Sequence, residues 1–453
     1  MKALIIAAGD GSRLQPFSKK HHKTLIPLLG LKIIERVILG AKKAGIYEFV
    51  IVIGYKGKEL RKVVGDGKKY GVSIKFVENN NWEVANGISV LAAKDQFKEN
   101  FVLLMGDHIF DWQTLIEIQR LKLKGGESVL AIDRNLSAVN DPQDATKVDI
   151  KNGVINKIGK NLTAYNAYDT GMFICSPEIF TALGQAVKKG KKSLSSGMAI
   201  LAEKGKLRAF DIKDRFWADC DTYADLKFAR KNLLNSLTKP QDGFVSKRFN
   251  RKISTFITRF LVKTPITPNI ISFALPLLVV PTVIFLAQGT YPWVLIGGIL
   301  IQLLSILDGC DGEIARLKFK QSEWGGWLDP IIDRYIDAAI IAGMAYGFWN
   351  VHGDKLILPI AIFMILLMMF DQYIRIHFRL NVKKDLKYNF NLKFSRDIRS
   401  LLLAVGAMTN QILPTFLIYL AIFQYRIFLQ VLAGKYISEG IGKKFLLIDP
   451  LEA

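Results

Sequence analysis

Two rhythms of hydrophobic and polar positions divide the chain. In the first half, short apolar runs with strand character alternate with stretches of helical period. Lys2–Ala8, Glu48–Gly54, Ser73–Val77 and Phe101–Met105 are the strand candidates, and an amphipathic helix is predicted near Ile33–Ala44. Such alternation predicts a parallel sheet covered by helices on both faces. Ligands of such sheets bind beyond the carboxyl ends of the strands. From Pro268 the pattern changes to long apolar runs: Pro268–Ala287, Trp293–Leu307, Ile331–Phe348, Leu356–Met369, Leu401–Asn410 and Ile412–Leu432. A span of the bilayer needs about 20 apolar residues, so these runs predict about six transmembrane helices.

The two halves meet in a polar stretch, Ser236–Gly243, which reads as a linker. After it Phe249, Ile253, Phe256 and Phe260 recur at helical spacing among Lys247, Arg248, Arg251, Lys252, Arg259 and Lys263. That pattern predicts a helix lying in the membrane interface with its basic residues toward headgroups. The expected organisation is therefore residues 1–235, then 236–264 as linker and interfacial helix, then 265–453 as an all-α transmembrane domain.

Charge sharpens this picture. The 453 residues carry a net charge of +22, which could point to nucleic acid, anionic lipid or phosphorylated substrates. Its distribution favours the last two. The loops at 288–292, 350–353 and 408–411 lack lysine and arginine, whereas the alternate connections hold Arg316, Lys318 and Lys320, the segment Arg375–Arg399, and Lys435, Lys443 and Lys444. By the positive-inside rule the basic loops and both termini face the cytoplasm, and no nucleic acid is needed to explain the charge. Cys175, Cys220 and Cys310 have no paired or metal-ligand spacing, as expected in a reducing compartment.

Candidate chemistry begins at the end of the first strand. Ala8-Gly9-Asp-Gly11-Ser-Arg13-Leu14 is a glycine-containing turn whose backbone N–H groups can reach a phosphate, with Arg13 adding positive charge. Asp107 ends the strand candidate Phe101–Met105 after Gly106. It either caps a helix or holds a divalent cation that offsets the charge of a triphosphate.

The longer pattern, Ala7-Ala8-Gly9-x-Gly11-x-Arg13-Leu14 with Lys23 before Leu-Ile-Pro, resembles the signature of sugar-phosphate nucleotidyltransferases. The resemblance implies an α/β, Rossmann-like fold with a mixed, mostly parallel sheet. It also implies that the loop holds a nucleoside triphosphate while Arg13 and Lys23 neutralise the transferring phosphates. Trp217-Ala-Asp219-Cys-Asp221-Thr222 resembles the family's late segment, with Asp219 as the second metal ligand beside Asp107. Asn86-Gly87 with Ser89 resembles the segment that contacts base or substrate. Lys147 and Asp169-Thr170-Gly171 are candidate contacts for a phosphorylated alcohol, and Lys147 alone could equally be a surface lysine. Two positions depart from the pattern: His22 stands where the family usually has proline, and Asp221 where glycine is commoner.

The second half carries Asp308, Asp311, Asp329, Asp333 and Asp337 beside apolar segments. On helices each set shares a face, and two such faces opposed make an all-oxygen cage for Mg²⁺, Mn²⁺ or Ca²⁺. Gly312 and Ala315 leave room for a close approach, and Arg316, one turn on, is placed for a phosphate. Asp308-x-x-Asp311-Gly312-x-x-Ala315-Arg316, then eight residues to Gly325-x-x-x-Asp329-x-x-x-Asp333, is identified as the signature of the CDP-alcohol phosphotransferases. That resemblance implies that Asp308, Asp311, Asp329 and Asp333 hold a divalent metal pair. It implies further that Asp333 is the general base and that Gly312, Ala315 and Arg316 lie at the CDP phosphates. Asp337 lies outside the motif and reads as a helix-end charge. Arg375, Arg379, Lys393, Arg396 and Arg399 either bind an anionic acceptor or are ordinary positive-inside residues.

A domain that makes a CDP-alcohol, fused to one that consumes it, resembles the archaeal bifunctional enzymes of di-myo-inositol phosphate synthesis. The resemblance implies CTP, inositol 1-phosphate and CDP-inositol as partners, Mg²⁺ or Mn²⁺ at both sites, and a homodimer through the membrane domain. The product would be a phosphorylated di-inositol phosphodiester, the precursor of a compatible solute. Two alternatives stay open: a lipid acceptor, making the protein a phospholipid synthase, or a first domain that only binds.

Overall fold

Ala3–Ala7 is a strand without a wet face, and all five of its residues are buried. Ala3, Ile5 and Ala7 enter one apolar core and Leu4 and Ile6 the other, the alternation expected of a strand covered on both sides. In the computed structural model, which describes residues 1–137, 141–238, 242–381 and 395–438, this strand is central to a large sheet. Its members are β1 (Ala3–Ala7), β2 (Glu48–Ile53), β3 (Ser73–Glu78), β4 (Phe101–Met105), β5 (Ser128–Asp133), β6 (Lys147–Lys151), β7 (Val154–Gly159), β8 (Ala167–Cys175) and β9 (Leu207–Asp211). They lie in the order β3-β2-β1-β4-β8-β5-β9-β7-β6.

The predicted parallel sheet is found in β3-β2-β1-β4. Beyond it the sheet is mixed. Strand β8 runs antiparallel to β4 and β5, and β9 is parallel to β5. The last two strands are antiparallel because Asn152 and Gly153, both at positive φ, close a two-residue hairpin between β6 and β7. A separate two-stranded ladder pairs His108–Phe110 with Trp217–Asp219 and sets Asp219 opposite His108. On one face the helix Ile33–Lys43 packs Ile34, Val37 and Ile38 against Ile5 and Ile51; on the other, Val90, Leu183 and Met198 cover Leu4, Val52 and Leu103. The chain divides into two compact units, Met1–Asn235, which this sheet organises, and Ser236–Ala453.

The second unit is helical: α1 (Arg251–Leu261), α2 (Pro268–Ala287), α3 (Tyr291–Leu317), α4 (Glu323–His352), α5 (Ile357–Asn381), α6 (Arg396–Met408) and α7 (Ile412–Ser438). Four segments among the described residues are long and apolar enough to cross a membrane: Pro268–Ala287, Tyr291–Leu317, Ile357–Ile374 and Ile412–Leu432. The other two predicted spans are helical but differ in kind. Run Ile331–Phe348 lies in α4, which carries Asp329, Asp333, Arg334 and Asp337, and Leu401–Asn410 falls largely in α6, of only 13 residues. Ile301, Ile340, Met364 and Phe416 meet inside the bundle. Outside it Leu277, Ile362 and Leu366 are at least 60% exposed, an apolar exterior that suits lipid rather than water.

Helix α1 inverts the usual amphipathic arrangement. Ser254 and Thr258 are buried, while Phe256 and Phe260 point outward. The reason is Glu313 on α3, which has no solvent exposure and accepts bonds from Ser254 Oγ (2.6 Å), Thr258 Oγ1 (2.7 Å) and Arg251 Nη1 (2.9 Å). Arg251 also reaches Asp242 through Nε at 2.8 Å. A buried carboxylate needs such partners, and removing one side of a buried pair costs about 3 kcal/mol or more. Glu313→Ala is therefore expected to destabilise the helical unit on the order of 3 kcal/mol, and Glu313→Gln by less because it retains an acceptor for the hydroxyls. Thermal unfolding of the full chain in detergent checks this; an unchanged midpoint in Glu313→Ala would remove Glu313 as the anchor of α1.

Candidate active sites

Beyond the carboxyl ends of β1 and β4 lies a cavity of about 630 Å³, within the range of small-molecule sites. Arg13, Lys23, Asn86, Asp107, Asp219 and Asp221 line it together with Ala8 and Gly9. Gly11 makes the approach of the loop to Lys23 feasible. It has φ 64°, and a Cβ there would lie 2.6 Å from Lys23 Cβ. Lys23 Nζ sits 2.5 Å from Asp107 Oδ2 and 3.0 Å from Asp221 Oδ1. Arg13 joins Asp144 at 2.6 Å and also pairs with Asp221.

The electrostatics follow from this crowding. Burial opposes the charge on Lys23, but Asp107 and Asp221 outweigh it and hold its pKa above the ordinary value. Burial likewise opposes the Asp107 carboxylate, yet Lys23 and His108 bring it down to about 2. Asp221 goes the other way: burial, reinforced by Asp107 and Asp219, raises it despite Lys23 and Arg13. Burial works against an imidazolium at His108, but Asp219 and then Asp107 push it up to about 10. Asp169 rises to about 6 through burial.

Other predicted contacts are placed less centrally. Asn86 Oδ1 accepts the Leu194 N–H at 2.8 Å, fixing the start of the helix Leu194–Glu203 at the cavity wall. Ser89 is buried and bonded to Asn79. Lys147 is not among the lining residues; its Nζ lies over the Tyr165 ring. Thr146 and Lys160 line the cavity instead.

In the helical unit, Asp308 of α3 and Asp329 and Asp333 of α4 each offer an oxygen within 4.8 Å of the others. Asp311 is not in that group; its Oδ2 accepts a 2.6 Å bond from Ser272. Arg396 Nη1 bridges Asp308 and Asp333 at 2.7 Å each. Asp337 is not a helix-end charge. It is buried in the middle of α4 with Arg396 and Arg399 at 3.8 and 3.7 Å. Arg316 donates to the Leu237 carbonyl at 3.2 Å, and its Nε is buried without a partner. Gly312 and Ala315 lie on the same turns of α3. Arg375 and Arg379 fall in α5, but their side chains, like Lys393, lie outside the described residues.

Both units match known families. A family model for nucleotidyl transferase matches residues 2–236, and one for CDP-alcohol phosphatidyltransferase matches residues 265–437. A bifunctional IPC transferase and DIPP synthase of Aquifex aeolicus is 35% identical over 346 residues, covering 76% of each chain. One from Thermococcus kodakarensis is 34% identical over 355 residues, 77% of this chain and 76% of the relative. The chain belongs to this bifunctional transferase family. The inositol-1-phosphate CTP transferase from T. maritima, a solved structure, is similar at 25% identity and a TM-score of 0.46, over 51% of this chain and 95% of that one.

Within this bifunctional transferase, several residues at or beside the sites carry no signal in local sequence. His108, Asp144 and Lys160 border the first cavity, and Glu313 anchors α1 to α3. Their roles come from pairing between distant segments. His22, which replaces the family's proline, proves structural: it is fully buried, its Nε2–H donates to the Ala7 carbonyl at 3.0 Å, and its Nδ1 accepts from the Thr24 N–H and hydroxyl. Its own backbone N–H donates to Glu59 at 2.8 Å, a bond proline lacks.

Burial holds the His22 imidazole neutral and lowers its pKa to about 4. Because the folded value lies below the ordinary one, its stabilisation is complete above about pH 6.5 and is lost as pH falls toward 4. The loss amounts to about 3 kcal/mol. Hydrogen exchange in β1 of the full chain, corrected for intrinsic rates, is expected to lose protection across that window in wild type and not in His22→Gln. Equal profiles would exclude the imidazole as the cause.

Proposed function

We propose that the first unit joins CTP and inositol 1-phosphate to give CDP-inositol and pyrophosphate. The second unit then transfers the inositol phosphate moiety from CDP-inositol to a second inositol 1-phosphate, releasing CMP. The observation that carries this reading is the presence in one chain of a triphosphate-sized cavity with paired Lys23 and Arg13, and of an aspartate cage suited to a CDP-alcohol. The relatives' bifunctional names support it.

In the first step a phosphate oxygen of inositol 1-phosphate attacks the α-phosphorus of CTP and the bond to the pyrophosphate oxygen breaks. Loop residues Ala8–Gly11 cradle the triphosphate, and Lys23 and Arg13 neutralise charge that grows on the leaving group. Asp107 and Asp219 suit a divalent cation, Mg²⁺ or Mn²⁺, because Asp219 Oδ1 is buried without a hydrogen-bond partner and both offer hard oxygen donors. Asp308, Asp329 and Asp333 fit another, with Asp311 nearby. Bound there, such cations would screen phosphate charge.

In the second step a hydroxyl of the acceptor attacks the phosphorus bearing inositol, and the bond to the CMP oxygen breaks. Asp333 takes the hydroxyl proton. Its present partner Arg396 would have to turn to the acceptor's phosphate, which frees the carboxylate to act as a base. Arg316 lies at the CDP phosphates. Arg375 and Arg379 add to the same acceptor site, whereas Lys147 is left without a role. We further read α1 as lying in the interface, the protein as a homodimeric multi-pass membrane protein, and both termini and both sites as cytoplasmic.

Radiolabelled inositol 1-phosphate with CTP is expected to give CDP-inositol and then a water-soluble phosphodiester. Absence of any CDP-alcohol from a panel of alcohol phosphates would sink the bifunctional reading, and label extracted into chloroform would assign a lipid acceptor. Lys23→Ala should lower CDP-inositol formation about a hundredfold or more while sparing transfer from supplied CDP-inositol. Asp333→Asn should do the reverse, so that CDP-inositol accumulates; continued diester formation would remove Asp333 as base.

A further inference from the structure

His108 has no part in the steps above, although it faces both Asp107 and Asp219 of the first site. The ladder between His108–Phe110 and Trp217–Asp219 sets His108 directly opposite Asp219, where cross-strand side chains meet. His108 Nδ1 lies 3.0 Å from the Thr170 carbonyl oxygen. A carbonyl only accepts, so Nδ1 carries the donated proton. Gly171 leaves room for this bond, since a Cβ there would come within 2.2 Å of Nδ1. With Nδ1 committed, Nε2 faces the site, 3.6 Å from Asp219 Oδ2 and 3.9 Å from Asp107 Oδ1, and a cation bound there would displace the Nε2 proton to solvent.

The remaining oxygens are arranged to match. Asp107 Oδ2 is engaged by Lys23, which leaves Oδ1 for the side of His108. Asp219 Oδ1 is buried and unpartnered. Around a cation with bonds of about 2.1 Å, adjacent ligands lie about 3 Å apart and opposed ones about 4 Å, and the observed separations fall in that interval. A histidine that donates one N–H to a carbonyl and turns its other nitrogen to carboxylates has the support that orients imidazole metal ligands.

We propose that Nε2 of His108 is the third protein ligand, with Asp107 and Asp219, of the divalent cation at the nucleotide site. This rests on the reading of that cavity as a metal-dependent nucleotidyl-transfer site. A nitrogen donor favours first-row transition cations over Mg²⁺, which prefers oxygen. The cage of Asp308, Asp329 and Asp333 offers oxygen alone, so one chain carries two sites of different metal preference.

The test uses the full-length protein in detergent, Mn²⁺ as the probe, and pyrophosphate, which contains no nitrogen, to load the site. Pulsed EPR reads nitrogen bound directly to Mn²⁺. Nitrogen modulation is expected in wild type and in Asp308→Asn, where only the oxygen cage is weakened, and is expected to vanish in His108→Gln. His108→Asp should lower the Mg²⁺ needed to displace half of the Mn²⁺ about tenfold. Wild type that binds Mn²⁺ in an Asp219-dependent manner without nitrogen modulation overturns the proposal and leaves His108 as a hydrogen-bonded cation. Failure to bind any Asp219-dependent Mn²⁺ overturns it too. CDP-inositol formation is assayed separately: if it proceeds while modulation is absent, only the ligand role falls, and if modulation is present without CDP-inositol, only the reaction assignment falls.

Discussion

An unpaired carboxylate taken out of water costs several kcal/mol, and this chain gathers aspartates in two confined places. Each cluster is held by cations shared between carboxylates rather than assigned one to one. Lys23 spans Asp107 and Asp221, Arg13 spans Asp144 and Asp221, and Arg396 spans Asp308 and Asp333. A shared cation fixes two backbone elements at once, which is how loops and helices far apart in sequence are kept in register at both sites. An incoming phosphate competes for these same cations. Its binding is thus an exchange of anions around groups already in position, which keeps reorganisation small.

The residues most legible in the sequence are those whose type is dictated by local backbone or by spacing along one element. Gly11 must be glycine where a positive φ brings the loop onto Lys23. Asp107 follows a strand of buried residues, and Asp329 and Asp333 repeat on one helical face. The structure brings Asp107 and Asp219, and Asp308, Asp329 and Asp333, together. Less legible were groups whose meaning depends on what a second element places opposite. His108 reads as an ordinary polar residue until the ladder to Asp219 is known. Asp337 reads as a helix-end charge until α6 delivers Arg396 and Arg399 to it.

The same distinction runs through the fold. The parallel half of the sheet follows from apolar runs alternating with helices. The hairpin of β6 and β7 at the far edge of the mixed half turns on a two-residue signal, Asn152-Gly153, within a polar stretch that periodicity alone does not mark. Hydropathy finds helices by composition, so it treats α4 as a span like the others although charged residues occupy its first half. That half is where the aspartate site is built. The departure from apolarity is what makes the helix chemically useful.

Helix α1 has a solvent requirement written inside out. Its hydroxyls are consumed by Glu313, and its phenylalanines are left for whatever surrounds the unit. In water the hydrophobic effect would favour rolling the helix by half a turn, and that roll would strip Glu313 of its three donors. Since Glu313 lies within one turn of Asp311 and Arg316 on α3, the proposed interfacial placement of α1 would let the surrounding hydrocarbon help decide the shape of the aspartate site. A detergent that fails to wet those rings would therefore damage the chemistry before it unfolds the bundle.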